Sequence, residues 1–296
     1  MDIPTNIFDK LVASSATGEL SSSDNNLRLM LDYFADQTDI KIQNRLISEL
    51  MARYADVSKQ LDAKNEQLRM YSEHLEELVE DKVKEISASQ IATIHALVKA
   101  AESRDDDTGK HIERTSLFCG LIAGKLYENG LHTDVIGEEY ADHISKASPL
   151  HDIGKIGIAD AILLKPDRLT ADEFEIMKTH VLIGYETLAS TVEAYPGNEF
   201  IKIGIEIARF HHEKWDGGGY MEGLAGESIP ISARIMALSD VYDALRSRRV
   251  YKEPFTHDKA YSIIIEGRGS HFDPALIDLF IEHHALFAEI YDRLSA

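Results

Sequence analysis

Cysteine is almost missing from this chain of 296 residues, and the scarcity has consequences. With Cys119 alone no internal disulfide framework can form, so a reducing, cytoplasmic setting is expected. No run of about 18 apolar residues occurs, and the opening MDIPTNIFDK lacks the basic-then-apolar layout of a secretion signal. Neither membrane insertion nor export is expected. Cations are also few: 31 Lys and Arg against 51 Asp and Glu leave a net charge of −20. That argues against general binding to nucleic acid or anionic lipid, which both need a basic face. An anionic small ligand stays open where metals or a few clustered cations reverse the field locally.

Proline and glycine are absent from Leu27 through Ser103, a stretch rich in Leu, Glu, Lys, Gln and Ala. Such a composition is helical throughout. Within it Leu61, Leu68, Tyr71, Leu75, Val79, Val83 and Ile86 step by seven, three or four, an apolar seam with a stutter-like passage. Glu80 and Lys84 make a favourable i,i+4 pair outside the seam. One helix of an internal bundle is one reading; a parallel, homodimerising coiled-coil stalk is the other, favoured by the charge on the remaining faces. Ahead of it, residues 1–26 carry a short apolar segment (Ile7, Phe8, Leu11, Val12) and a Ser-rich connector, ASSATGELSSSDNN. The organisation expected is thus 1–26, a helical region and stalk over 27–90, and a globular domain over 91–296.

That last stretch also reads as helices. Thr170 and Glu173 form a capping box before Phe174, Met177 and Val181. Asp273 and Pro274 supply an N-cap and a first-turn proline, and Gly130 closes the helix ending at Asn129. An all-α fold is the economical expectation.

Several of these helices direct a histidine or carboxylate inward. In IKIGIEIARFHH, Ile201, Ile205, Ala208 and His212 share one helical face, and His211 sits beside it at the helix end. An imidazole on a buried face needs a partner. With 13 histidines one adjacent pair is ordinary by chance, and His283-His284 reads as solvated or capping. His151 and Asp152 lie together in SPLHDIGKIGIAD, with Lys155 one turn on. His111 is in the first turn of its helix, His180 shares a face with Ile176 and Ile183, and Asp240 is a carboxylate in an apolar run. Singly, each has a structural explanation as a hydrogen-bonded core histidine or half of an ion pair. Together, imidazole and carboxylate without thiolate suit Fe, Mn, Co or Ni. Asp152, with two oxygens, could bridge a metal pair.

The stretches HDIGK at 151–155 and HHEKWDGGGY at 211–220, followed by SDVYDAL and SRRVYK, resemble the HD-GYP branch of the HD phosphohydrolase superfamily over roughly Ile91 to Phe280. The resemblance implies an all-helical domain carrying two or three non-haem metal ions, iron or in its place manganese. It implies hydrolysis of cyclic di-GMP to pGpG or GMP by a metal-bridging hydroxide. Carried over by position, the metal ligands are His111, His151, Asp152, His180, His211, His212 and Asp240. Lys155, Arg249 and Lys252 hold substrate phosphates, Gly219 and Tyr220 border the substrate, and Asp152 and Lys155 are the catalytic pair. Asp107 stands where some members place a third-metal glutamate, one methylene shorter here. Glu213 and Asp243 are expected to orient ligating histidines. Gly217, Gly218 and Gly219 permit φ > 0 and close backbone approach.

One departure stands out. Met221 follows Gly219 and Tyr220 where the family has proline, so a loop that closes over substrate or docks a partner protein should be more mobile or differently shaped. Three alternatives therefore remain beside the cyclic di-GMP phosphodiesterase: an effector that binds the nucleotide without turnover, an enzyme for another cyclic dinucleotide, and a dimeric scaffold with a vestigial site.

Overall fold

A computed structural model describes residues 40–102, 110–192, 196–248 and 253–295. The segment and connector over 1–26, together with Asp107, Arg249 and Lys252, lie outside the described residues. The described chain is all-helical, with one isolated bridge between Arg268 and Phe272. It divides into two units, Met1–Lys84 and Glu85–Ala296.

Helix α1, Ile40–Glu102, runs through the boundary. In the first unit its described residues are exposed apart from the partly covered Gln43, Leu46 and Ser58. Leu61, Leu68, Tyr71, Leu75, Val79 and Val83 are all exposed, and so is Ile86 just past the boundary. Glu80 and Lys84 pair at 2.6 Å.

The second unit is a helical bundle. It contains α2 (Lys110–Glu128), α3 (Tyr140–Ala147), a 3-10 helix (Ser148–Gly157), α4 (Asp160–Leu163), α5 (Ala171–Lys178) and α6 (His180–Ala189). These precede α7 (Glu199–Phe210), a 3-10 turn (Gly226–Ser228), α8 (Ile231–Arg246), α9 (His257–Glu266) and α10 (Pro274–Ser295). Local chemistry sets the boundaries. The Thr170–Glu173 capping box forms in both directions and starts α5. Asp273 Oδ1 accepts from the Ala275 amide to start α10, and Gly130, at φ 63°, lets the Leu131 amide reach back to the Leu126 carbonyl.

The main core gathers apolar faces of α2, α3, α7, α8, α9 and α10. At its centre Phe118 stacks on Phe287 at 5.0 Å and meets Tyr242 edge-on at 5.2 Å. A smaller cluster joins Val98, Ile112 and Leu150. Its role is positional: Ile112 and Leu150 each adjoin a histidine in sequence, and their burial fixes where that histidine points.

Two local expectations need correction. The buried stripe of α7 is Ile203, Gly204, Ile207, Ala208 and, at the helix end, His211; of the expected face Ala208 is buried, while Ile201, Ile205 and His212 are only partly covered. His284 is not simply solvated: its Nδ1 lies 2.9 Å from His257 Nε2, and His257 Nδ1 lies 2.8 Å from the Tyr242 hydroxyl.

Candidate metal centre

His151 and Asp152 sit in a ten-residue 3-10 helix, longer than this geometry usually persists. Three residues per turn eclipse i and i+3, which stacks Lys155 directly over Asp152, Nζ to Oδ2 at 2.9 Å. The same register hands His151 Nδ1 the carbonyl of Ser148 at 2.9 Å. His180 opens α6 after a break at Thr179 and donates from Nδ1 to Met177 O at 2.7 Å. His211 caps α7 and donates to Ile207 O at 2.9 Å. His111, in the first turn of α2, donates from Nδ1 to Asp243 Oδ2 at 2.8 Å.

These four bonds decide the tautomers. A carbonyl or carboxylate oxygen only accepts, so each Nδ1 carries the proton and each neutral ring offers its Nε2 lone pair. The Nε2 atoms converge. Asp152, His180, His211 and His212 each supply an atom within 4.8 Å of the others, and His111, His151 and Asp240 form a second such group. Asp152 belongs to both neighbourhoods. Its Oδ1 lies 3.3 Å from His180 Nε2 and 3.9 Å from His211 Nε2, while its Oδ2 lies 3.2 Å from His151 Nε2. Asp240 Oδ1 is 3.7 Å from His111 Nε2.

Asp152 Oδ1, His180 Nε2 and His211 Nε2 are buried and make no hydrogen bond. Three such atoms converging on one point would be costly in a core that gave nothing back. Borderline divalent cations accept this donor set of imidazole and carboxylate, so the residues fit a metal centre. The electrostatics agree. Burial, then the neighbouring His212 and His151, holds His211 well below the ordinary imidazole range. Burial also lowers His180, and with the adjacent imidazoles takes His212 down to about 3. Burial alone would raise Asp152, but Lys155 and His151 outweigh it and keep the carboxyl well below its usual range. His111 differs: burial opposes its charge, and the hydrogen bond and charge of Asp243 more than compensate, raising it. A cation needs ligands free of protons, and most of this set is neutral imidazole or ionised carboxylate near pH 7.

The loop after His212 closes against the cluster. Tyr220 lies over His212 with centroids 4.7 Å apart and planes 29° apart. Burial, then the negative charge of Asp152 and Asp240, pushes the Tyr220 hydroxyl up, so it stays a donor. A Cβ on Gly219 would lie 2.5 Å from Glu213 Cα and from Lys214 N, which explains the glycine by close approach. Of the three glycines only Gly217 has positive φ, at 79°. Glu213 holds the loop: its Oε1 accepts from the amides of Glu222 at 2.7 Å and Gly223 at 3.1 Å. Its bonds are therefore to loop backbone, where sequence reasoning expects a bond to a histidine. Arg209 adds an ion pair to Glu222 at 2.6 Å. Met221, 45% exposed, follows Tyr220 through a cis peptide.

Sequence reasoning missed Arg114 and Gly154. Arg114 is 3% exposed and grips both oxygens of Asp243, Nη2 to Oδ2 at 2.9 Å, behind His111. An arginine inside an apolar helix, three residues after a histidine, was the available signal. Gly154 lets the 3-10 helix touch α6: a Cβ there would collide with the His180 carbonyl. No sequence signal identifies that contact.

Comparison with known proteins agrees with this geometry. The HD domain family model matches residues 124–276. A Vibrio cholerae protein named probable cyclic di-GMP phosphodiesterase is 46% identical over 226 residues, 76% of this chain and 51% of the relative. The cyclic di-GMP phosphodiesterase response regulator RpfG of Xanthomonas campestris is 40% identical, over 83% of this chain and 62% of its own length. A 3'3'-cGAMP-specific phosphodiesterase 2 of Vibrio cholerae is 41% identical, over 67% of this chain and 35% of its own. The chain thus spans between about a third and about three fifths of these relatives. The family match takes in just over half of the chain and every one of the converging imidazole and carboxylate groups except His111, so the chain belongs to the HD domain family.

Proposed function

We propose that this chain is a metal-dependent phosphodiesterase that hydrolyses cyclic di-GMP to pGpG or GMP. The observation that carries the reading is Asp152, whose two carboxylate oxygens face two separate groups of imidazoles. In this reading His180, His211 and His212 would hold one divalent ion, His111, His151 and Asp240 would hold a second, and Asp152 would serve both. Iron is the first choice and manganese the second; Asp107 would add a third-metal ligand. When bound, such ions would supply acidified water as nucleophile and would offset charge on the phosphoryl oxygens.

The chain's own residues supply the rest. Lys155, held over Asp152, is positioned to neutralise charge developing on a non-bridging phosphate oxygen. Arg249 and Lys252 are proposed for the second phosphate. Tyr220, stacked on His212, keeps water from one side of that ring and holds a protonated hydroxyl available to substrate. Glu213 and Arg209 fix the loop so that Tyr220 stays there. Asp243 and Arg114 do the same for His111. The exposed seam of α1 supports a parallel homodimer through that helix, and exposed Met221 is available to a partner protein at the loop.

The test is one sample of the full chain, purified anaerobically with iron or manganese supplied. Elemental analysis should give about two ions per chain, and cyclic di-GMP should yield pGpG or GMP. Bound metal with nucleotide binding but no product would replace the enzyme by an effector, the outcome that Met221 in place of proline makes worth measuring. The relative named 3'3'-cGAMP-specific favours a second substrate reading, and competition between the two cyclic dinucleotides decides it.

A further inference from the structure

Helix α5 buries none of its residues fully, yet its start is pinned twice. Thr170 and Glu173 cap each other, and Glu173 also receives Lys165 Nζ. A short helix that adds little to the core but is held this firmly has its use at the surface. Among its exposed residues are Phe174, 44% exposed, and Ile176, and the half-buried Lys178 lies against Phe174. Phe174 meets Tyr220 edge-on, centroids 6.1 Å and planes 79° apart. Tyr220 in turn lies over His212. Lys178 Nζ sits by both rings, 5.1 Å from the Phe174 centroid and 5.4 Å from that of Tyr220.

A single exposed aromatic residue is ordinary on a soluble protein. This one ends a chain of ring contacts that begins on an imidazole of the candidate metal centre, with an ammonium beside it. We propose that Phe174 and Lys178, with Tyr220, form a nucleobase corner that takes guanine in preference to adenine, an inference that rests on the cyclic dinucleotide reading above. Stacking on Phe174 would serve any base, since every base has a π face. Lys178 supplies the choice. Guanine presents two acceptors, O6 and N7, along one edge, where adenine places the N6 donor beside N7. An ammonium, which only donates, matches the first and meets a donor on the second. Its present ionic partner, Glu175, is an exposed carboxylate in solvent and can release it.

The experiment is equilibrium binding to the manganese-loaded full chain with three probes: GMP, AMP and base-free ribose 5-phosphate. Cyclic di-GMP turnover is recorded on the same samples. Wild type should bind GMP best. Phe174→Ala should weaken GMP about 10-fold and leave ribose 5-phosphate unchanged, while Phe174→Trp, which keeps a ring, should hold GMP near the wild-type value. Lys178→Gln should bring GMP and AMP to within about twofold of each other. If GMP binds no better than ribose 5-phosphate, or Phe174→Ala binds GMP as wild type does, the corner is wrong, and the phosphodiesterase reading survives wherever turnover is seen. If GMP binding depends on Phe174 but no cyclic dinucleotide is cleaved, the corner stands and the phosphodiesterase reading falls.

Discussion

The backbone at Gly154 presses against the backbone at His180: a Cβ on Gly154 would collide with the His180 carbonyl and lie 2.5 Å from the Gly184 amide nitrogen. Through this crossing Asp152, two residues before the glycine, comes within reach of His180 Nε2. Main chain cannot rotate away as a side chain can. Gly154→Ala should therefore cost about 3 kcal/mol in urea unfolding and lower bound metal in the same protein. Gly124, inside α2 with nothing within 4 Å of a built Cβ, is the control. Gly124→Ala should gain about 0.5–1 kcal/mol.

Asp243 is held on one side by His111 and on the other by Arg114, all three buried. Asp243→Asn should reduce metal affinity about 10- to 100-fold, read by competition with a chromophoric chelator. It should also destabilise the fold, because Arg114 loses its counter-charge. Pairing it with Arg114→Met should restore much of the stability and none of the metal affinity. Recovery of both would show that Asp243 serves the core alone.

Glu213 ties the loop to the end of α7, beside the imidazole cluster, through the Glu222 and Gly223 amides. Glu213→Ala should raise KM for cyclic di-GMP severalfold while metal content holds. Arg209→Ala, which removes the exposed end of the same tether, should act in the same direction and more weakly. Loss of metal in Glu213→Ala would place Glu213 with the ligands instead.

The Cys119 thiol is fully buried, with Ser239 Oγ at 3.4 Å and Met236 Sδ at 3.7 Å. Burial pushes it up to about 12 from an ordinary 9.0. The folded state therefore keeps its proton over a range in which the unfolded chain has lost it, and stability from this group falls as pH rises from about 9 to about 12. At mildly alkaline pH a thiol reagent should label native protein very slowly and guanidinium-unfolded protein at once. Rapid native labelling would contradict the packing.

Leu68→Glu with Leu75→Glu places two carboxylates on the exposed seam of α1. Light scattering should report a dimer for wild type and a monomer for the double variant. A monomeric wild type would remove the homodimer.

Much of this protein is legible in its order of residues alone. The missing proline and glycine make α1 a helix before any contact is known, the Thr170–Glu173 cap fixes where α5 starts, and Gly130 fixes where α2 stops. These are short-range effects, set by backbone conformation and hydrogen bonds within one or two turns. The types of side chain also name the chemistry: imidazole and carboxylate without thiolate point to hard or borderline cations. Tertiary structure alone decided the rest. That Asp152 faces two groups of imidazoles, that Glu213 serves the loop while Asp243 serves His111, and that Arg114 stands behind them depend on contacts between residues up to 132 positions apart. Such contacts come from how helices cross, and the crossings come from close approach at Gly154 and from apolar anchors such as Ile112 and Leu150. Local sequence carries no record of which distant backbone will fill the space a glycine leaves.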